Sequence, residues 1–587
     1  MEEGKKIVIT IDGRKIETYE GTTILEAART ANIYIPTLCY LKEINEIASC
    51  RMCIVEIENV RGYKPACTEK VFDGMVVYTH TEDLIKTRKN TLELILSNHN
   101  KKCLSCIRNT NCELQDMAKR LGIENIRYEG EITKAIKDES SLCIVRDTSK
   151  CILCGRCINI CNNVQTVGAI TKVGRGFETY VGVANEYPIA SSTCVGCGQC
   201  IVNCPVGALY EKDYIKEVIN ALNNKDLHIV VQTAPAVRAA IGEEFGMKIG
   251  SLVTGKMVAA LKQAGFDKVF DTDVAADLTI MEEGTEFLER INSGGTLPMI
   301  TSCSSGWITF AEKFYPDILE HLSSAKSPME MLGTIIKTKY AKENNIDPKK
   351  IYSVAVMPCS AKKAEIMREE LKVDGMQVVD TVLTTRELAR LLKLYNIDLA
   401  TLEDEEFDSP LGEATGAGHL FGATGGVMEA ALRTVAKIVD NKEPEKLEYT
   451  ELRGLSGVRT SSIQIGDRIV KVAVCDGLKN VRYLLDKIKD GTNEYDFIEV
   501  MTCPGGCIMG GGQPIVSYNK ISRNKVKLLR ACALYEADEK SKLRVSMDSK
   551  AVKKIYKEYL GSPNKGQAHR LLHTKYNKQE VYVNKEI

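Results

Sequence analysis

CILCGRCINIC at residues 151–161 and CVGCGQCIVNCP at residues 194–205 decide how this chain is organised. Both follow C-x2-C-x2-C-x3-C, the run of bacterial two-cluster ferredoxins, in which the fourth cysteine of each run ligates the other cluster. Cys151, Cys154, Cys157 and Cys204 are thus expected to hold one [4Fe-4S] cubane, and Cys194, Cys197, Cys200 and Cys161 a second. Gly155, Gly196 and Gly198 let backbone N–H groups approach the sulfurs. Cys143, just before the first run, fits neither set and reads as a spare thiol.

Upstream lies His99-x3-Cys103-x2-Cys106-x5-Cys112, after a helical stretch from Lys86 to Ser97. Three thiolates and an imidazole suit a [4Fe-4S] cluster of raised potential, and they equally suit zinc. Further upstream, Ile7 to Ile11 reads as a strand, Asp12-Gly13 as a hairpin turn and Arg14 to Tyr19 as the return strand. Thr22 or Thr23 can cap a helix from Ile24 to Ala31. Cys39, Cys50, Cys53 and Cys67 follow on this β-grasp pattern and suit a [2Fe-2S] cluster, with zinc as the rival. These four sets use 15 of the 22 cysteines, and so long a series implies that electrons travel.

At 587 residues the chain needs several cores. Its 78 basic and 78 acidic residues cancel, so no net field draws it to nucleic acid or an anionic membrane. No apolar run is long enough to span a bilayer, and the start, MEEGKK, has no leader-like apolar core. The expected address is the cytoplasm, where cysteines stay reduced and clusters of them read as metal sites.

From about residue 210, strands alternate with helices, an α/β organisation with mainly parallel strands. The strands are read at Leu227 to Gln232, Lys268 to Phe270, Leu297 to Thr301, Tyr352 to Met357 and Ile469 to Val474. Long helices are read at Pro328 to Glu343 and Thr385 to Leu394. Chemistry in such folds sits on loops at strand ends. Three loops qualify: TSCSSGW (301–307), MPCSAKKAE (357–365) and MTCPGGCIMGGGQP (501–514). Glu283 and Glu286 lie one helical turn apart and share a face; taken alone, they read as a solvated acidic helix start.

These loops resemble the signatures TSCCPxW, MPCxxKxxE and MxCPGGCxxGGGQP of the [FeFe]-hydrogenases, and the resemblance covers nearly the whole chain, as far as Leu572-His573. It implies an H-cluster: a [4Fe-4S] cubane joined to a two-iron unit carrying CO, cyanide and a dithiolate. Cys359, Cys503 and Cys507 would bind the cubane, with Cys507 as the bridge, and Lys362 would pair with a cyanide. Pro235, Met357, Phe421, Gly422 and Met501 would line the cofactor pocket. The glycine-rich stretch from Gly416 to Gly426 matches the pocket loop; it lacks both GxGxxG and a P-loop lysine, so a nucleotide reading is weak. Cys303, Glu283, Ser323 and Glu286 would carry protons.

The chain departs from the pattern at five places. Ser304 stands where the fourth cubane ligand belongs, and Ser305 replaces proline. Met329 replaces glutamine, Ala236 replaces serine and Met509 replaces asparagine. Ser304 as an oxygen ligand, Cys303 swung in as a substitute, and an open iron corner are three possible consequences.

The implied fold is multidomain, α+β and α/β. A β-grasp [2Fe-2S] domain spans 1–79, a His/Cys3 [4Fe-4S] domain 80–125 and a two-[4Fe-4S] ferredoxin-like domain 126–209. A two-lobed H-cluster domain with a small-subunit-like end spans 210–587. The implied function is reversible H2 oxidation and proton reduction with ferredoxin or a similar carrier, after loading by H-cluster maturation proteins. The alternatives are a redox sensor or weakly active paralogue, a subunit of an NAD(P)-linked complex, and an electron-storage protein without an H-cluster.

Overall fold

The computed structural model describes residues 5–409, 411–466 and 468–582; the first four residues of MEEGKK and the last five of the chain lie outside the described residues. The strands Lys6–Ile11 and Arg14–Tyr19 pair antiparallel, with Ile11 opposite Arg14. Asp12 and Gly13 both take positive φ, +50° and +78°, which is what a two-residue hairpin turn of matching twist demands. Ile7, Ile9 and Ile11 alternate inward, and the sheet is completed by Val76–Tyr78, Ile54–Ile57 and Lys64–Pro65. Thr23 caps the helix Ile24–Thr30 by accepting the Glu26 N–H. The next helix runs Glu82–Ser97, one turn earlier than expected, because Thr81 caps it.

The catalytic half holds two four-stranded sheets. One is all parallel, in the order Lys268–Asp271, His228–Thr233, Ile351–Met357, Thr381–Thr384. The other runs Met299–Ile300, Phe497–Met501, Arg468–Asp476, Val458–Ile465, and only its last pair is antiparallel. The strand expected over 297–301 shortens to Met299–Ile300, since Pro298 offers no ladder N–H. The helix expected over 328–343 is three pieces, with a π-turn at Ile336–Tyr340. Both sheets send the carboxyl ends of strands toward one seam. There the loops after Ile300, Met357 and Met501 meet.

Long helices flank the seam. Thr272–Ser293 follows the strand Lys268–Asp271, and Asp271 caps it. Glu283 and Glu286 lie in its interior and are buried, so they are not a solvated helix start. No described helix is long and apolar enough to cross a membrane.

The ferredoxin-like region is seated on this seam through glycine. Gly198, at φ +67°, opens the short helix Gln199–Val202, and an added Cβ there would lie 2.9 Å from the Gly511 Cα. Gly198→Ala is therefore expected to lower stability by about 1–3 kcal/mol beyond its backbone cost. Gly74→Ala, at φ +77° with open space around it, is the control for that backbone cost. Thermal unfolding of the iron-loaded proteins checks the difference; equal losses would remove the contact argument.

Candidate functional site

The fold gathers the cysteines of the β-grasp and ferredoxin-like sets. In the β-grasp domain the free thiols of Cys39 and Cys50 lie close together, and so do those of Cys53 and Cys67. Two pairs suit two irons, one pair for each. Cys151, Cys154, Cys157 and Cys204 line a single small cavity of about 20 Å³. The crossing of Cys204 into the first set is thus a feature of the structure. Cys161, Cys194 and Cys200 lie within one another's electrostatic reach. Burial pushes the Cys197 thiol far up, and Cys503 of the catalytic loop is the next largest influence.

His99 is buried beside this assembly and its Nδ1 has no protein partner. Burial pushes the ring down to about 4, so it is neutral at pH 7, the state a metal ligand needs. Cys103, Cys106 and Cys112 are partly exposed. A Cβ on Gly207 would sit 2.7 Å from the Cys106 Sγ, and Arg108 donates to the Cys204 carbonyl at 3.2 Å. The His/Cys3 set therefore abuts the first cubane set.

The β-grasp set reaches the same place by another side chain. Fully buried Asn45 donates to the Cys39 carbonyl (2.6 Å) and to the Cys154 carbonyl (3.0 Å). Two entry sites thus converge on one cubane site, and the second cubane site follows. From there Gln199 donates to the Met509 carbonyl at 3.0 Å, and Ser360 donates to the Gly196 carbonyl at 2.6 Å. Cys143 is fully buried against Gly196, inside this joint.

Cys359, Cys503 and Cys507 come from the ends of two different sheets; Cys503 feels the charge of the other two, and Cys507 that of Cys359. Burial raises all three thiols, so thiolates there need cationic partners such as iron. Ser304 faces the same loop: its Oγ lies 2.8 Å from the Thr502 Oγ1 and accepts the Thr502 N–H at 3.2 Å. Cys303 turns elsewhere. Burial raises it first, then Glu283, and Lys362 and Cys507 are also close. Donors of this type and placement fit a cubane with a second iron unit beside Cys507.

Lys362 is buried, and its ammonium meets Glu365 at 2.7 and 2.9 Å and the Cys303 carbonyl at 3.2 Å. Burial opposes its charge, but Glu365 more than offsets this and holds the pKa above the ordinary value. Phe421 and Met501 pack in one cluster with Cys303 and Cys507. Gly422 accepts the Ile508 N–H at 2.9 Å and touches Ala236, the residue after Pro235. Met357 ends its strand in the other lobe's core, so it joins the site from the opposite side.

Burial pushes Glu283 up to about 7, with the nearby charge of Glu286 the second cause. One Glu283 oxygen accepts from Ser302, and the other has no protein partner. Glu286 Oε2 accepts the Ser323 hydroxyl at 3.1 Å, and Ser323 lies beside Glu283 without a hydrogen bond to it. Cys303, Glu283, Ser323 and Glu286 thus form one buried file.

Further groups support the site: Glu365 closes the MPCSAKKAE motif, Met329 and Ala236 are departures from the family pattern, and Glu499 alone carries no sequence signal. Glu365 accepts the hydroxyls of Ser305 and Ser327 as well as Lys362. Buried Glu499 accepts the N–H groups of Gly425 and Met428, both at 2.7 Å, and so fixes the glycine-rich loop. Met329 is buried and offers only its carbonyl, to Gln232 at 3.0 Å. The Ala236 carbonyl accepts the side chain of Gln513 at 2.8 Å.

The description "Iron only hydrogenase large subunit, C-terminal domain" matches residues 227–511, and "Iron hydrogenase small subunit" matches 524–579. "2Fe-2S iron-sulfur cluster binding domain" matches 4–82 and "4Fe-4S dicluster domain" 150–208. "NADH-ubiquinone oxidoreductase-G iron-sulfur binding region" matches 88–127. These descriptions favour iron–sulfur clusters over the zinc rivals. The chain is 47% identical to the NADP-reducing hydrogenase subunit HndD of Solidesulfovibrio fructosivorans, over 98% of this chain and 99% of that protein. It is 42% identical to iron hydrogenase 1 of Clostridium pasteurianum, over 97% and 100%. An apo [FeFe]-hydrogenase variant from Chlamydomonas reinhardtii superposes with a TM-score of 0.57 at 38% identity, covering 63% of this chain and all of that one. With two of these relatives spanning nearly its whole length, the chain belongs to the [FeFe]-hydrogenase family.

Proposed function

We propose that the chain interconverts H2 with protons and electrons at the seam between its two sheets, and exchanges the electrons with ferredoxin or a similar carrier. The observation that carries this is the meeting of Cys359, Cys503 and Cys507 with Cys303 and Lys362 at the end of the Glu283–Ser323–Glu286 file. The H-cluster, when bound, supplies the iron at which hydrogen is split or formed. Cys359, Cys503 and Cys507 would hold it. Lys362, kept charged by Glu365, donates to its anionic ligands. Pro235, Met357, Phe421, Gly422 and Met501 wall the pocket and keep water out.

Protons move along the chain's own groups. Cys303 exchanges with Glu283, and Glu283 exchanges through Ser323 with Glu286. A carboxyl near 7 both binds and releases protons at neutral pH, which is what a relay requires. Electrons pass between the pocket and the accessory cysteine sets, each with its cluster: Cys39, Cys50, Cys53 and Cys67 with [2Fe-2S], and the other three sets with [4Fe-4S]. A cytoplasmic address fits the abundance of thiols, and maturation proteins are expected to deliver the two-iron unit.

A second reading rests on the 47% likeness to a protein named an NADP-reducing hydrogenase subunit. In that reading the electron partner is a further subunit. Copurification of a flavin-bearing subunit would favour it over a free ferredoxin.

Ser304 is assigned the fourth cubane corner, in preference to Cys303. Its oxygen already bonds Thr502, the neighbour of Cys503, whereas Cys303 lies among Glu283, Cys507 and Lys362. An oxygen ligand is harder than a thiolate and binds iron less firmly. Ser304→Cys is expected to retain cubane iron longer under chelator, to change its EPR signal and to raise turnover. If both the iron retention and the turnover of the variant matched the parent, the missing thiolate would not matter.

Glu283→Gln and Glu286→Gln are each expected to cut H2 evolution by about 100-fold or more while leaving the infrared CO and cyanide bands in place. Undiminished turnover in both would return these residues to a packing role. Bands absent from the parent itself would leave the chain without a two-iron unit and favour the electron-storage reading.

His99→Cys is expected to keep a cluster at that site with a lower potential, since a thiolate adds charge. His99→Ala is expected to lose it. Redox titration followed by EPR decides, and an unchanged signal in His99→Ala would exclude the ring as a ligand.

A further inference from the structure

We infer that Ser324, His573 and Glu282 form a proton-holding station at the outer end of the carboxylate file. This rests on the reading that Glu283 and Glu286 carry protons. Glu286 Oε2 faces two serines. Ser323 binds it from the inner side at 3.1 Å, and Ser324 binds it through its hydroxyl at 3.2 Å and its N–H at 3.1 Å. The Ser324 Oγ lies 2.8 Å from His573 Nδ1. His573 Nε2 lies 2.9 Å from the Glu282 carboxylate. His573 is 7% exposed and Glu282 is fully buried, whereas Ser324 is partly exposed and so is the member that water reaches.

The other neighbour of Glu286 cannot do this work. Arg290 pairs with Glu286 Oε1 at 2.6 Å and spends its remaining donors on the carbonyls of Thr296, Glu320, His321 and Leu322. A guanidinium does not give up its proton in a protein, so Arg290 orients Glu286 and passes nothing on. Imidazole and hydroxyl each accept on one side and donate on the other, as a relay must.

Glu282 sets the tautomer. Its carboxylate also accepts the Asn564 N–H at 2.6 Å and the Tyr556 hydroxyl, which anchors it as the acceptor for His573 Nε2–H. Nδ1 is then the free lone pair facing Ser324. In the outward direction the Glu286 carboxyl proton passes to the Ser324 oxygen as the Ser324 hydroxyl proton passes to Nδ1. The imidazolium so formed is balanced by Glu282. Inward delivery is the reverse, and water at Ser324 loads and unloads the station. His573 stacks on the exposed ring of His569, with centroids 4.7 Å apart, which holds the imidazole in plane. His573 lies within the small-subunit-like stretch, 249 residues from Ser324, so the proton route needs that segment.

The test uses the fully loaded, full-length protein. Gln at 573 can keep both hydrogen bonds but cannot hold a proton. His573→Gln and Ser324→Ala are expected to lower turnover at saturating electron donor on the order of ten- to a hundredfold and to enlarge the solvent isotope effect. Ser324→Thr should retain turnover, and added imidazole should restore part of it in His573→Ala. Infrared bands and cluster EPR should match the parent throughout. His573→Gln with parental turnover and isotope effect would overturn the station, as would a loss accompanied by missing bands or iron. Glu286→Gln, run in parallel, separates the two ideas: full activity there would sink the carboxylate route itself, whereas inactivity there beside an active His573→Gln would sink only the station.

Discussion

The approach of Gly198 to Gly511 is the constraint on which the rest of the molecule turns. An added Cβ on either glycine would lie within 2.9 Å of the other's Cα, so only hydrogen fits between the two loops. One loop carries Cys197 and Cys200, and the other continues from Cys503 and Cys507. Electron transfer weakens steeply with distance, so a side chain here would cost rate as well as packing. Gln199 and Ser360 then lock the contact with hydrogen bonds to opposing carbonyls. The accessory domains and the catalytic domain are therefore one electrical object, because their backbones touch.

Farther out, the joints are polar and buried. Arg156 of the ferredoxin-like region grips Glu113 of the His/Cys3 region with two bonds, at 2.9 and 3.1 Å. Glu113 also accepts from Ser517 and Asn519 of the catalytic half, and Asn519 donates to the Thr37 carbonyl of the β-grasp domain. Three regions meet on one carboxylate, and Asn519 ties in the fourth. A buried ion pair is a weak source of stability, but breaking it strands a charge, so it fixes register more than it adds energy. The cluster sites need that register.

The pocket separates two kinds of traffic by the placement of charge. The thiols that face iron sit against the accessory loops. Glu283 and Glu286 sit on the far side, along one helix, where burial and mutual repulsion hold Glu283 near neutrality. Ser305 adds a hydroxyl to Glu365, and Glu365 holds Lys362, so the change from proline reaches the cofactor's ligands through two hydrogen bonds. Ser304 puts an oxygen where the family pattern has a cysteine sulfur.

The cysteine sets were legible in the chain because a cluster loop is local: three ligands within seven residues are near one another in almost any fold. The hairpin at Asp12-Gly13, the capped helix after Thr23 and the parallel strands were legible for the same reason. Turn, cap and periodicity act over a few residues. The three loops could be placed at strand ends from the α/β pattern, whereas the proton role proposed for Glu283 and Glu286 could be read only through resemblance, since charge and spacing alone favoured a solvated helix. Only the tertiary structure decided which groups face one another across the chain. It set Ser304 against Thr502, Glu365 against Lys362 and Ser305, Asn45 between Cys39 and Cys154, and His573 against Ser324. Most of these contacts join residues tens to hundreds of positions apart; only Lys362–Glu365 and Asn45–Cys39 are close in sequence. They depend on how two sheets and three cluster-binding regions pack, and no local preference of the backbone encodes that packing.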